Sequence, residues 1–98
     1  MASSLDMSKI EKEIIVMNKK GIHARPAALF VQLTDKFDAA VTITQGEEKV
    51  NGKSIMGLLT LGAHHQSLLK VEVEGNDAAK AMEAIEVFFS KQEEELTP

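Results

Sequence analysis

The residues best equipped for chemistry stand together in GIHARPAALF, residues 21 to 30, where His23 and Arg25 precede Pro26 and an apolar run. A histidine keeps a large neutral fraction near neutral pH, and a ring nitrogen of the imidazole can accept a phosphoryl group covalently. Arg25 offers a planar fork of donors suited to phosphate oxygens. Pro26 fits the first turn of a helix, where its missing N–H is no loss, and it is expected to hold the Arg25 backbone out of the helical region. Residues 22 to 26 contain no Ser, Thr, Asp or Asn to cap that helix. Its uncapped N–H groups and positive dipole end therefore make a place where an anion is welcome. Phosphoryl transfer rests mainly on alignment and charge stabilisation, so such a site needs no metal of its own. On the residues alone two readings stand: His23 as phosphoryl acceptor stabilised by Arg25, or a surface histidine ending a turn beside a solvated charge.

Elements that could position this pair follow from periodicity. KEIIVMN, residues 12 to 18, reads as a strand with Ile14 and Val16 on one face. Residues 24 to 37 form a helix whose stripe of Ala27, Phe30, Val31 and Phe37 is interrupted by Thr34. AVTITQ (40 to 45) alternates Val41 and Ile43 with threonines, and EEKVNG beyond Gly46 completes a hairpin. Ser54 then caps a short helix containing Ile55, Met56, Leu58, Leu59 and Leu61, with Gly57 permitting close approach. LLKVEVEG (68 to 75) is a half-buried strand. Residues 77 to 92 form a last helix burying Ala78, Ala81, Met82, Ile85, Phe88 and Phe89, capped by Asn76 or Asp77. The order βαββαβα predicts an α+β domain, a four-stranded antiparallel sheet with three helices on one face.

Composition narrows the function classes. The chain has 98 residues, room for one domain. Residues 1 to 9 are expected to be a flexible extension, 10 to 92 the domain, and 93 to 98 an acidic tail whose charge run is solvated. Met7 is an alternative start. Absence of cysteine removes disulfides, thiolate catalysis and cysteine zinc sites. A charge of −4 with no Trp or Tyr argues against a nucleic-acid surface and for a protein partner. The first residues lack the pattern of a signal peptide and no run suffices for membrane insertion, so the cytoplasm is the expected compartment. His64 and His65 are adjacent, but no carboxylate or cysteine set accompanies them, and no metal site or cofactor is expected.

The strings GIHARPAALFVQ and NGKSIMGLLTLGA, with the βαββαβα order, resemble HPr, the histidine-containing phosphocarrier family of the bacterial sugar phosphotransferase system. The resemblance extends over about residues 10 to 92. It implies an open-faced β-sandwich in which His23 takes a phosphoryl group from phosphorylated enzyme I, which phosphoenolpyruvate charges, and passes it to a histidine of a sugar-specific enzyme IIA. In this reading Arg25 stabilises the phosphoryl group, and the chain is a carrier with a phosphohistidine intermediate rather than a stand-alone catalyst. Ser54 matches a serine that resembles a regulatory site of HPr kinase/phosphorylase, and the plain alternative is an N-cap alone. Ile55, Met56 and Leu59 cannot all point inward from so short a helix, and the resemblance places partner docking there, with Ala24 and Ala28 alongside. Leu58, Leu61, Phe30 and Val31 are expected to be core. A monomer suits a shuttle exposing one face to successive partners. Two other functions are weighed: a carrier of the nitrogen-related phosphotransferase branch, and a regulatory module acting on a transcriptional regulator through phosphorylated Ser54. Gln66 departs from the family, standing where a glycine is common.

Overall fold

The structure, a computed structural model, describes residues 8–96. Its elements run β1 (Lys9–Ile15), α1 (Ala24–Thr34), β2 (Ala40–Gln45), β3 (Glu48–Asn51), α2 (Ile55–Leu61), β4 (Leu68–Glu74) and α3 (Ala78–Phe89), followed by a 3-10 turn, Glu93–Glu95. The strands form one antiparallel sheet in the order β1-β4-β2-β3. Register sets Ile14 opposite Leu69, Ile43 opposite Val71 and Val41 opposite Val73. These side chains turn to one face because strand residues alternate, and there they meet the helices. The other face is polar, with Lys9 paired to Glu72 at 3.4 Å and Lys70 to Glu11 at 3.3 Å. Each pair keeps an exposed lysine in contact with solvent and contributes little stability, and the helix-side core dominates. The expected architecture, an open-faced α+β sandwich, is the one found.

The core joins α1 to α3 through three rings. Phe30 lies 5.1 Å from Phe88 and 5.2 Å from Phe89, and Phe88 and Phe89 meet edge to face at 5.5 Å. All six residues of the expected α3 stripe are buried. Thr34, the polar break in the α1 stripe, is fully buried because its hydroxyl donates to the carbonyl of Gly52 at 3.1 Å.

Several boundaries differ from expectation. β1 occupies Lys9–Ile15 rather than 12 to 18, since the Met17 N–H leaves the ladder to bond the Phe89 carbonyl at 3.1 Å. α1 ends at Thr34, where Lys36 and Phe37 close tighter turns onto Leu33 and Thr34. Val31 is partly buried rather than core. Asp77 is the N-cap position of α3 but makes no cap bond with its side chain. Its carboxylate instead accepts the N–H groups of Asp38 and Ala39, both at 2.9 Å, and so ties the α1–β2 turn to the start of α3. Residues 93 to 96 do not run free: the turn folds back, and Leu96 is buried. Most of the expected N-terminal extension lies outside the described residues.

Candidate functional site

The loop between β1 and α1 is fixed before it reaches His23. Buried Asn18 donates from Nδ2 to the Gly21 carbonyl at 3.0 Å, and its carbonyl accepts the Gly21 N–H at 2.9 Å. Gly21 has φ of 73°, and a Cβ there would lie 2.7 Å from the Cα of His64, so only glycine lets the two backbones pass. The next residue then docks: the Ile22 N–H donates to the Ala63 carbonyl at 2.9 Å.

His23 follows as the N-cap of α1, with extended backbone and no side-chain cap bond. Its carbonyl accepts the Ala27 N–H at 2.9 Å, closing the first turn. Arg25 lies inside the helix, contrary to the expected effect of Pro26. Proline in a first turn meets no helical carbonyl four residues back, and the turn closed on His23 prevails over the local preference before proline. The side chains of His23 and Arg25 therefore project from the start of one helix, and both residues are exposed. Helical geometry aims the first-turn N–H groups of Ala24 and Arg25 toward the N-terminal end, with the positive dipole end beside them. Arg25 is also held from the far end of the chain, its Nη2 donating to the Leu96 carbonyl at 3.3 Å. That contact has no signature in the sequence, because no pattern marks which backbone oxygen a guanidinium will find.

α2 packs beside α1. Ser54 caps it as expected, its Oγ accepting the Gly57 N–H at 3.0 Å. Gly57 permits the close packing of α2 on β3, where an added Cβ would lie 3.2 Å from Val50. Leu58 and Leu61 point inward, whereas Ile55, Met56 and Leu59 are exposed by 41%, 71% and 37%. Ala24 is exposed and Ala28 half-buried on the neighbouring helix, so a small-residue and an apolar surface lie on adjacent elements. Among the described residues no group of three His, Cys, Asp or Glu side chains is placed to hold a metal ion. His64 instead closes its own turn, its N–H donating to the Ser67 hydroxyl at 2.9 Å. Gln66 takes a left-handed backbone, φ 71°, a conformation that glycine adopts freely. No helix among the described residues is long and apolar enough to cross a membrane.

Arranged this way, the site offers a nucleophile, a cation and helix-start donors at one exposed point, with an apolar surface on the next helix. Comparison with known proteins shows the family to which the chain belongs. The family model described as the PTS HPr component phosphorylation site matches residues 10–91. The chain is 45% identical over 83 residues to the HPr-like protein Crh of Halalkalibacterium halodurans, covering 85% of this chain and 99% of that protein. It is 42% identical over 86 residues to the phosphocarrier protein HPr of Treponema pallidum, covering 88% and 98% of the two chains. The crystal structure of HPr from Bacillus anthracis aligns with a TM-score of 0.81 at 39% identity, covering 84% of this chain and 98% of that one. The chain belongs to the HPr family of phosphotransferase-system phosphocarriers.

Proposed function

We propose that this HPr-family chain accepts a phosphoryl group on a ring nitrogen of His23 from phosphorylated enzyme I and delivers it to a histidine of a sugar-specific enzyme IIA. The His23 nitrogen lone pair forms the new N–P bond as the N–P bond of the donor phosphohistidine breaks, and the donor imidazole leaves with that electron pair. The same exchange in reverse roles passes the group on. Arg25 and the N–H groups at the start of α1 meet the added negative charge. The observation that carries this reading is exposed His23 at the N-cap of α1, two residues before exposed Arg25 in the first turn of the same helix. Ile55, Met56 and Leu59, with Ala24 and Ala28, form the docking surface for both partners. The carrier works in the cytoplasm, as a monomer.

Regulation through Ser54 is a second part of the proposal, supported by its half-buried position at the N-cap of α2, next to the exposed Ile55 and Met56. Phosphate there sits at the positive end of a helix dipole and places negative charge beside the docking surface, where it repels an acidic partner. HPr kinase/phosphorylase is the proposed modifying enzyme and a transcriptional regulator the proposed reader. Similarity to a Crh protein favours this regulatory reading as the alternative to sugar transport, ahead of the nitrogen-related branch.

The test is intact-protein mass spectrometry after incubation with phosphoenolpyruvate, magnesium and enzyme I from the same organism, with His23→Ala alongside. Gain of one acid-labile phosphoryl group by the wild type alone is expected. Gain by His23→Ala would overturn the assignment. No gain by either, with enzyme I active on itself, would shift it to the nitrogen-related branch or to regulation through Ser54.

A further inference from the structure

We propose that the turn after α3 clamps the phosphoryl site through Gln92, Glu95 and Leu96, with Gln92 as a positioning residue for transfer to His23. The inference rests on the His23 reading above, and it concerns a segment beyond the family match, which ends at residue 91.

Both ends of the Gln92 amide are engaged by the loop that leads to His23. Its Nε2 donates to the Met17 carbonyl at 2.7 Å, and its Oε1 accepts the Lys19 N–H at 2.8 Å. The backbone of the same segment is locked in turn. The Gln92 N–H donates to Glu95 Oε1 at 2.8 Å, and the Glu95 N–H donates to the Gln92 carbonyl at 2.9 Å. Leu96 then lines the groove between α1 and α3 together with Leu29, Leu33 and Phe88, and it is buried. Its carbonyl accepts from Arg25 Nη2 at 3.3 Å. One short turn thus holds backbone four residues before His23 and the guanidinium two residues after it.

A bracket of this kind acts on alignment. His23 itself sits on a loop whose far end is already docked through Ile22 and Ala63, so loosening the clamp leaves the fold intact while the imidazole and guanidinium gain freedom relative to each other. Phosphoryl transfer is sensitive to such freedom because the attacking nitrogen must lie in line with the bond that breaks. The hydrogen bonds of the clamp are present before transfer as well as during it, so only the part of their energy lost from alignment in the transition state slows the reaction, and a fall in rate of about three- to tenfold is what such a part supplies.

The experiment compares full-length wild type, Gln92→Ala, Leu96→Ala and, as control, exposed Glu94→Ala. Transfer from phosphorylated enzyme I gives kcat and KM, and the amide shifts of Ala24 and Arg25 are followed by NMR during titration with inorganic phosphate. Expected for Gln92→Ala and Leu96→Ala is a fall in kcat of about three- to tenfold with KM unchanged, because the Met56 surface is untouched, and weaker phosphate binding. Glu94→Ala should match wild type. If Gln92→Ala keeps kcat and phosphate affinity within about twofold of wild type, the clamp is overturned and the turn is only a tie for the chain end. A rise in KM alone would also overturn it, since that places the effect in docking. If wild-type protein takes no phosphoryl group, the carrier reading fails, and the phosphate titration alone then decides the clamp.

Discussion

The Oγ of Ser54 accepts the N–H of Gly57 at 3.0 Å and so closes the first turn of α2, beside the exposed Ile55 and Met56. One hydroxyl therefore stands at once in a structural bond and at the edge of the proposed docking surface. Ser54→Ala removes the bond and should lower unfolding stability by about 1 kcal/mol. Ser54→Asp retains an acceptor and adds charge, so its stability should stay close to wild type while transfer from enzyme I slows several-fold. Urea unfolding and phosphoryl-transfer rates separate the two effects. An unchanged rate for Ser54→Asp would leave Ser54 as a cap and nothing more.

How much of this was readable from the sequence depends on the range of the interaction. The α3 stripe and the Ser54 cap are local periodicity and capping chemistry, and both appear as expected. The end of β1 is displaced because a distant group takes over a backbone bond, the Phe89 carbonyl accepting the Met17 N–H, and the end of α1 because Lys36 and Phe37 close tighter local turns that apolar periodicity does not mark. Asp77 shows the same limit, because its carboxylate found the N–H groups of Asp38 and Ala39 rather than its own helix. At the site, His23, Arg25 and Pro26 were visible as a run of residue types. The contribution of Leu96 and Gln92 was not, since residues more than 70 positions away reach the loop only through the fold. Their acidic surroundings read as a solvated tail because charge composition carries no information about one buried leucine.

Met56 is the most exposed apolar side chain of α2, at 71%. A charge placed there touches no core, so Met56→Glu should change stability by no more than about 0.5 kcal/mol. If Met56 is a central contact of the proposed docking surface, binding to enzyme I and to enzyme IIA should each weaken by about tenfold. Calorimetric titration against both partners is the check. Wild-type affinity for either one would move that interface to a different face.

Gln66 adopts φ 71° while its N–H donates to the Val16 carbonyl at 2.8 Å, so the left-handed backbone is held by a bond that joins the end of β1 to the turn before β4. A side chain in this region is strained by about 1 kcal/mol, and glycine removes the strain at the expense of greater freedom in the unfolded chain. Gln66→Gly should therefore stabilise by about 0.5 kcal/mol, raising Tm by about 2–4 °C for a domain of this size. Thermal unfolding decides it, and a fall in Tm would mean that the glutamine side chain contributes more than its backbone costs.

Asp77 gives the fold a dependence on acid. Its pKa lies below the ordinary aspartate value, chiefly because the Asp38 N–H bonds the ionised carboxylate; partial burial opposes this, while the Ala39 N–H, its own backbone N–H and the charge of Lys53 add to it. A carboxyl group with a depressed folded pKa binds fewer protons in the native chain than in the unfolded one. Its contribution is thus fully present above the ordinary aspartate pKa and disappears as the pH falls through the depressed folded value. Asp77→Asn keeps one oxygen acceptor but sets an NH2 group against a backbone donor, so it should be less stable than wild type at pH 7. The gap should narrow as the pH is lowered toward 2, because protonation removes from the wild type what the substitution has already removed from the variant. Urea midpoints for both proteins across that range measure the gap directly. A gap that stays constant to pH 2 would show that the carboxylate of Asp77 does not titrate with folding, and would assign its value to the shape of the turn rather than to its charge.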